Sequence, residues 1–365
     1  MIDLNDKYSG EAESRAHPGT VKEISAGWQS PSNIALIKYW GKKGYQLPAN
    51  ASLSITLSKA FTRTWLDAVQ KKQKGISFDF QFEESVSRDF NERISRYLEH
   101  IKKYFPFLER YHLSIRSENS FPHSSGIASS ASGFSALALC ICSAEKELFR
   151  LNSDKDFFSK ASFMARLGSG SASRSVYGGY VSWGQHEEMP ASDDEVSTPF
   201  PVPVHPSFRR MRDAILIVST SRKKTSSSLG HSMMDSHPFA GARYLQAGSN
   251  FSDLVKTLKS GDFSRFIQIT ENEALTLHAM MMSQDEGIIL TSPNTFEMIN
   301  RIRNFRDKSG EKLCFTLDAG PNIHLLYPDE SRKAVLAFIN DELAGLCEEG
   351  KWIDDEAGEG PFPII

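Results

Sequence analysis

The sequence predicts an α+β fold in two parts, and three observations carry that expectation. Segments of strand character and segments of helical spacing come in runs, without the strict β-α alternation of a doubly wound sheet. The chain has 365 residues; at roughly 100–200 residues per domain this implies two domains, or one large body with a cleft. A polar, acidic connector at 185–196 leads into Pro199-Phe-Pro-Val-Pro-Val-His-Pro206, the composition of a seam. The expected division is an extension over 1–25, a first domain over 26–205 and a second over 206–365. A cleft between such halves is the natural ligand site.

Taken in order, 34–39, 52–57, 62–68, 76–82 and 112–117 read as strands from β-branched, aromatic and alternating content. Segments 89–104 and 133–149 have helical spacing, and Tyr180–Trp183 reads as a short strand. In the second half, 213–220 is an apolar strand, 238–258, 262–282 and 293–307 are helical, and 312–317 with 323–327 reads as a hairpin-like pair.

Composition narrows the function classes. With 40% hydrophobic and 24% charged residues the chain has a full core, which excludes disordered and collagen-like classes. A net charge of -3, from 42 basic and 45 acidic side chains, supplies no global field for nucleic acid or anionic lipid. Any polyanion must be gripped locally. The N-terminus lacks an apolar leader segment and the longest apolar run, near 134–144, is far short of the ~20 residues of a membrane span, so a cytoplasmic protein is expected. Cys140, Cys142, Cys314 and Cys347 form no C-x-x-C pair and read as buried reduced thiols.

The most informative stretch is Asn119-Ser-Phe-Pro-His-Ser-Ser-Gly-Ile-Ala-Ser-Ser-Ala-Ser-Gly133, a small-residue loop running directly into an apolar helix. Small side chains leave amides bare, and a helix N-terminus with hydroxyls such as Ser129 and Ser130 makes a phosphate cradle. No Gly-Lys-Ser/Thr follows the glycine, which disfavours a P-loop. A second loop, Gly168-Ser-Gly-Ser-Ala-Ser-Arg-Ser-Val-Tyr-Gly-Gly179, adds Arg174, whose guanidinium fork matches a carboxylate or phosphate; a plain glycine-rich turn is the bland alternative. Two such loops suggest two anionic ligands.

Lys38 and Lys42 close the apolar strand Ile34-Ala-Leu-Ile-Lys-Tyr-Trp-Gly-Lys42, and either they meet an anion or they snorkel to water. Asp318, in Phe315-Thr-Leu-Asp-Ala-Gly-Pro-Asn322, ends a strand where a tight turn either fixes its carboxylate in a cleft or is merely capped by it. Arg222-Lys-Lys-Thr-Ser-Ser-Ser-Leu-Gly230 is a basic, hydroxyl-rich loop suited to phosphate or to plain solvation. Glu271, Glu273 and His278 invite a metal reading, which Leu275, Leu277 and the lack of a third ligand in register disfavour. Met280-Met-Met282 reads as core or interface packing.

Together these segments resemble the diphosphomevalonate decarboxylases of the GHMP kinase superfamily over most of the chain. The resemblance rests on Asn33–Lys42 with Leu47-Pro-Ala-Asn-Ala-Ser52, on 121–133, on 168–175, on 223–230 and on Asp318-Ala-Gly-Pro-Asn322, five motifs in the family's order. It leaves 1–25 unexplained. It implies a first half like ribosomal protein S5 domain 2, a ferredoxin-like second half, and a site between them. The implied reaction takes ATP, with Mg2+, and (R)-5-diphosphomevalonate to isopentenyl diphosphate, ADP, phosphate and CO2, and the family is often dimeric, so a homodimer is expected.

By the same resemblance Asp318, Lys38 and Arg174 are catalytic, with Arg174 on the substrate carboxylate. Tyr39, Lys42, Ser169, Ser171, Ser227 and Ser228 bind the substrate, and Ser125, Gly126, Ala128, Ser129 and Ser130 hold the ATP phosphates. Three positions depart from the family pattern: Ser228, where relatives carry arginine or threonine; Gln46, for an asparagine; and Ile127, for a leucine. At Ser228 the diphosphate grip is weaker or comes from Arg222, Lys223 or Lys224. The alternatives are a same-fold mevalonate 3-kinase, or a decarboxylase of a mevalonate monophosphate or 3,5-bisphosphate. A catalytically dead binding protein is a third, from which loss of the acid or of the phosphate loop would be expected.

Overall fold

Two long antiparallel strands organise the first half. The computed structural model describes residues 4–14, 21–83, 85, 87–122, 127–151, 156–201, 203–221, 227–285 and 287–365, without the side chains of 10–14, 227 and 228. After helix α1 (Leu4–Ser14), strand β1 (Glu23–Ile37) leads into the small hairpin β2 (Lys42–Lys43) and β3 (Leu47–Pro48), then β4 (Ser52–Gln70). β1 and β4 pair from Glu23↔Val69 to Ile37↔Leu53.

The segments 52–57 and 62–68, expected as two strands, are one. The register slips between Pro31 and Asn33, where 57–60 bulge opposite Ser32, so the polar Ser58 and Lys59 interrupt the pattern without ending the strand. The amides freed by the bulge do not go unmet. The Asp355 carboxylate, from the far end of the chain, accepts from Ser58 N (2.9 Å), Lys59 N (2.7 Å) and Ala60 N (2.7 Å).

β5 (Phe78–Phe82), α2 (Arg88–Ile101), β6 (Tyr111–Asn119), α3 (Ser129–Leu148), α4 (Phe157–Gly168), β7 (Tyr180–Trp183) and β8 (Ser197–Pro199) complete the first half. In the second come α5 (Pro206–Arg209), β9 (Met211–Leu216), α6 (Ser227–Met233), α7 (Ala240–Ser260), α8 (Phe263–Met282) and α9 (Pro293–Ser309). They are followed by β10 (Cys314–Thr316), β11 (Ile323–Pro328), α10 (Arg332–Phe338), β12 (Trp352–Glu356) and β13 (Phe362–Pro363).

The larger sheet runs β13-β1-β4-β6-β5, with β7 on the early part of β4 and β8 on β7; only β5–β6 is a parallel pair. The smaller is antiparallel in the order β10-β11-β9-β12. The hairpin-like pair expected at 312–327 is β10–β11, with Cys314 opposite Leu326. The last strand, β13, returns from the second half to pair with β1 at Trp28↔Pro363.

Two cores cross between the halves. One joins Leu36, Ile37 and Leu53 to Phe251 of α7 and Phe266 of α8; the other joins Ile34, Leu57 and Ile127 to Ile215 and Ile217. A shared apolar interface of this kind holds two halves in one arrangement. All four cysteines are free and buried. Among the described residues, no helix is long and apolar enough to cross a membrane.

Helix α1 belongs to the extension that the motifs leave unexplained, and it is docked. Tyr8 is fully buried edge-on to Phe163, with its hydroxyl 3.3 Å from Ser159 Oγ. Lys7 pairs with Asp156 at 3.1 Å, and Asn5 Nδ2 donates to Glu195 Oε1 at 3.2 Å. Replacing a buried aromatic by alanine loses its transfer energy and leaves a cavity. Tyr8→Ala is therefore expected to lower the unfolding free energy by about 3–5 kcal/mol in urea titrations; a loss under about 1 kcal/mol would show that the helix is only loosely attached.

Candidate active site

The run Ile34-Ala-Leu-Ile37 is buried on both faces of β1, so the chain carries the next side chain into the interior. That residue is Lys38, with only 1% of its side chain exposed. Its ammonium lies 3.0 Å from Asp318 Oδ1, across a sequence separation of 280 residues. Asp318 follows β10 and is 30% exposed, so the pair has a buried cationic end and a partly exposed anionic end.

The turn 318–322 is fixed from several sides. Gly320 N donates to Asp318 O at 2.7 Å, His278 Nε2 to the same oxygen at 3.1 Å, and Thr295 Oγ1 to Pro321 O at 2.8 Å. Asn322 Oδ1 accepts from Val218 N and Ser219 N at the exit of β9, at 2.7 and 2.9 Å.

Arg174 sits on the short helical turn Gly170–Val176 and is 3% exposed. Its Nε and one terminal nitrogen donate to Asn33 Oδ1, each at 3.2 Å, and the other to Ser52 Oγ at 2.6 Å. Both partners are neutral, and no carboxylate pairs with it among the described residues. Burial pulls its pKa down to about 10, against the pull of Asp318 and Tyr39. Burial likewise lowers Lys38, which Asp318 and Glu273 oppose and Arg174 reinforces. Lys42, half-buried, is lowered by burial. The Tyr39 hydroxyl is buried without a partner among the described residues, and burial raises its pKa. Asp318, Lys38, Arg174 and Tyr39 thus share one electrostatic environment.

The small-residue loops meet beside them. Ala128, in the left-handed region at φ 45°, caps α3, and Ser130 Oγ at its first turn is 3.3 Å from Ser169 Oγ. Ser129 opens the helix, and Ser130 sets its first turn against Ser169 of the second loop. Ser171 offers its carbonyl to Asn33 Nδ2 at 3.2 Å. A side chain at Gly170 would meet the Tyr39 hydroxyl at 2.9 Å and the Trp183 ring at 2.7 Å, so only glycine allows this approach. Ser125, Gly126, Arg222, Lys223 and Lys224, and the side chains of Ser227 and Ser228, lie outside the described residues.

Known proteins resemble this chain over most of its length. The family model of the diphosphomevalonate decarboxylase-like N-terminal domain matches residues 30–196, and that of the mevalonate 5-diphosphate decarboxylase C-terminal domain matches 214–357. The diphosphomevalonate decarboxylase of Gibberella zeae is 32% identical, over 89% of this chain and 87% of its own. The chain belongs to the diphosphomevalonate decarboxylase family. Its fold is that of the family's solved members. Mevalonate diphosphate decarboxylase from Staphylococcus aureus superposes with a TM-score of 0.79 at 27% identity, covering 94% of this chain and 98% of that one. MDDEF in complex with MVAPP, AMPPCP and magnesium gives 0.79 at 26% identity, covering 94% and 99%.

Within this family member, the acidic residues considered for a metal are otherwise engaged. Glu271 pairs with Arg306 and Arg303 at 2.5 and 3.2 Å, Glu273 with Arg243 at 2.5 Å, and His278 holds the Asp318 carbonyl. No cluster of three or more His, Cys, Asp or Glu side chains suited to a metal occurs among the described residues. Gln46, where the family pattern has asparagine, has φ 56°, a conformation that asparagine tolerates better.

Sequence reasoning missed His231, on α6 just after the basic loop. Its ring packs on Tyr39 and Trp40 at 4.2 and 4.7 Å, and its Nδ1 accepts from Gly41 N at 3.1 Å, which leaves the proton on Nε2. Burial, then the Lys42 and Arg174 charges, depress its pKa from 6.5 to about 3. The unfolded chain therefore binds a proton here below pH 6.5 that the folded chain refuses, and the stability present above 6.5 is lost as pH falls toward 3. Urea midpoints measured from pH 7 down to 4 are expected to fall less steeply in His231→Gln than in the wild type; parallel profiles would contradict this.

Proposed function

We propose that this protein catalyses the ATP-dependent decarboxylation of (R)-5-diphosphomevalonate to isopentenyl diphosphate, ADP, phosphate and CO2. The observation that carries the reading is a buried Lys38–Asp318 ion pair beside a buried arginine with no acidic partner among the described residues, next to a helix N-terminus. A buried guanidinium satisfied only by neutral groups is set for an anion, here the substrate carboxylate.

A tertiary hydroxyl is a poor leaving group, so the reaction first converts it to a phosphate ester. Asp318 accepts the proton of the C3 hydroxyl as its oxygen attacks the γ-phosphorus of ATP and ADP departs. Lys38 balances charge on the hydroxyl oxygen and on the transferring phosphoryl group. The C3–O bond then breaks, phosphate leaves with its electron pair, and the C–CO2 bond electrons form the alkene as CO2 departs. Arg174 holds the carboxylate in line until it is lost.

Ser129 and Ser130, with the bare amides of the α3 N-terminus and of Ala128, suit the ATP phosphates, and Ser125 and Gly126 extend the same loop. Tyr39, Lys42, Ser169, Ser171, Ser227 and Ser228 complete the substrate site in this reading. Magnesium would come with the nucleotide and neutralise its phosphates, and the Ser129 and Ser130 hydroxyls are oxygen donors of the kind it takes.

Incubation with Mg-ATP and 5-diphosphomevalonate is expected to release CO2 and ADP in equal amounts, faster than with mevalonate, its 5-phosphate or its 3,5-bisphosphate. ADP without CO2 would identify a 3-kinase instead. Asp318→Asn, Lys38→Met and Arg174→Met should each lower kcat/KM at least ~10²-fold; full activity in any of them would remove that residue from the mechanism.

A further inference from the structure

Lys38 is held not only by its side chain. Its backbone N donates to Glu273 Oε2 at 2.9 Å, and its carbonyl accepts from Asn50 Nδ2 at 3.0 Å and from Arg243 at 3.4 Å. Glu273, on α8, is fully buried and takes two bonds from the Arg243 guanidinium of α7, at 2.8 and 2.5 Å, and one from Asn250 at 2.7 Å. Two helices of the second half thus clasp the peptide groups of one residue in the first.

The proposed mechanism gives this clasp an electrostatic task. At rest Asp318 neutralises the Lys38 ammonium; once Asp318 takes the hydroxyl proton, that counter-charge is gone, while Arg174 still pushes against the ammonium. The Glu273 carboxylate, bonded to both terminal nitrogens of the Arg243 guanidinium, takes no part in that proton transfer. We infer that Glu273, held by Arg243, is a positioning residue for Lys38: it fixes the lysine's main chain and stays as the counter-charge when Asp318 becomes protonated.

This rests on the assignment of Asp318 as the proton acceptor, and its test has one arm that needs no turnover. Among the described residues, the charged groups that bear on Lys38 are Asp318, Glu273, Arg174 and, through the backbone clasp, Arg243. Removing the Glu273 charge therefore makes the ammonium easier to deprotonate. With lysine 13Cε-labelled and the Lys38 signal assigned by Lys38→Arg, the Lys38 titration is expected to move down by about one pH unit in Glu273→Gln. Glu273→Asp, which keeps the charge and draws it back from Lys38 N, should retain most of the titration position.

The double variant Glu273→Gln/Arg243→Gln leaves no unpaired buried arginine and guards against simple misfolding. It removes one charge of each sign, so its Lys38 titration should lie between those of Glu273→Gln and the wild type. In turnover assays kcat should fall about 10-fold to 100-fold in Glu273→Gln and in Glu273→Asp, with KM for both substrates changed less than about 3-fold. An unmoved Lys38 titration in a folded Glu273→Gln, or kcat within about 2-fold of the wild type in that folded variant, would overturn the inference. A wild-type chain that released no CO2 would instead count against the proposed reaction, and the titration would still decide whether Glu273 is a counter-charge to Lys38.

Discussion

A lysine ammonium cannot be buried without a compensating charge, and the arrangement of this molecule follows from burying one at Lys38. The apolar run of β1 drives that side chain inward, and its partner Asp318 has to arrive from the other end of the chain. That requires the halves to be locked together. Two apolar cores shared between them do this, and the Asp355 carboxylate seated on the β4 bulge adds a polar tie at a third point. The site is therefore a property of the interface, and neither half holds it alone.

The second feature is a local surplus of positive charge in a chain whose net charge is -3. Lys38, Lys42 and Arg174 converge, and only Lys38 meets a carboxylate among the described residues. His231 among them has its pKa depressed to about 3, so it adds no charge near neutral pH. Such a cluster attracts a substrate carrying several negative groups while the surface as a whole does not attract polyanions. The bare amides at the start of α3 extend the same preference toward the nucleotide.

Much of this was legible in the sequence because its signals are local. The small-residue loop entering an apolar helix, the lysine ending an apolar strand, and the Asp-Ala-Gly-Pro-Asn turn each reveal themselves within a few residues, and the structure brings the lysine and the aspartate together. Longer-range features were not legible. Ser58 and Lys59 look like a strand end because a bulge breaks the alternation, and nothing nearby shows that Asp355 satisfies its amides. Glu271 and Glu273 resemble metal ligands until Arg243, Arg303 and Arg306 are seen beside them, and the shortest of those separations is 30 residues. The docked α1 and the closing strands Trp352–Glu356 and Phe362–Pro363 lack the periodicity that marks amphipathic elements, since tertiary contacts on several sides decide them.

The central claim is that Lys38 and Asp318 act as one unit in the reacting cavity. The most direct test is a double-mutant cycle on kcat/KM for decarboxylation, using Lys38→Met, Asp318→Asn and the two combined. If the pair acts as a unit, the combined variant should be no more than about 10-fold worse than the weaker single variant. Losses that multiply, so that each substitution costs the same with or without the other, would show two independent residues and contradict the account.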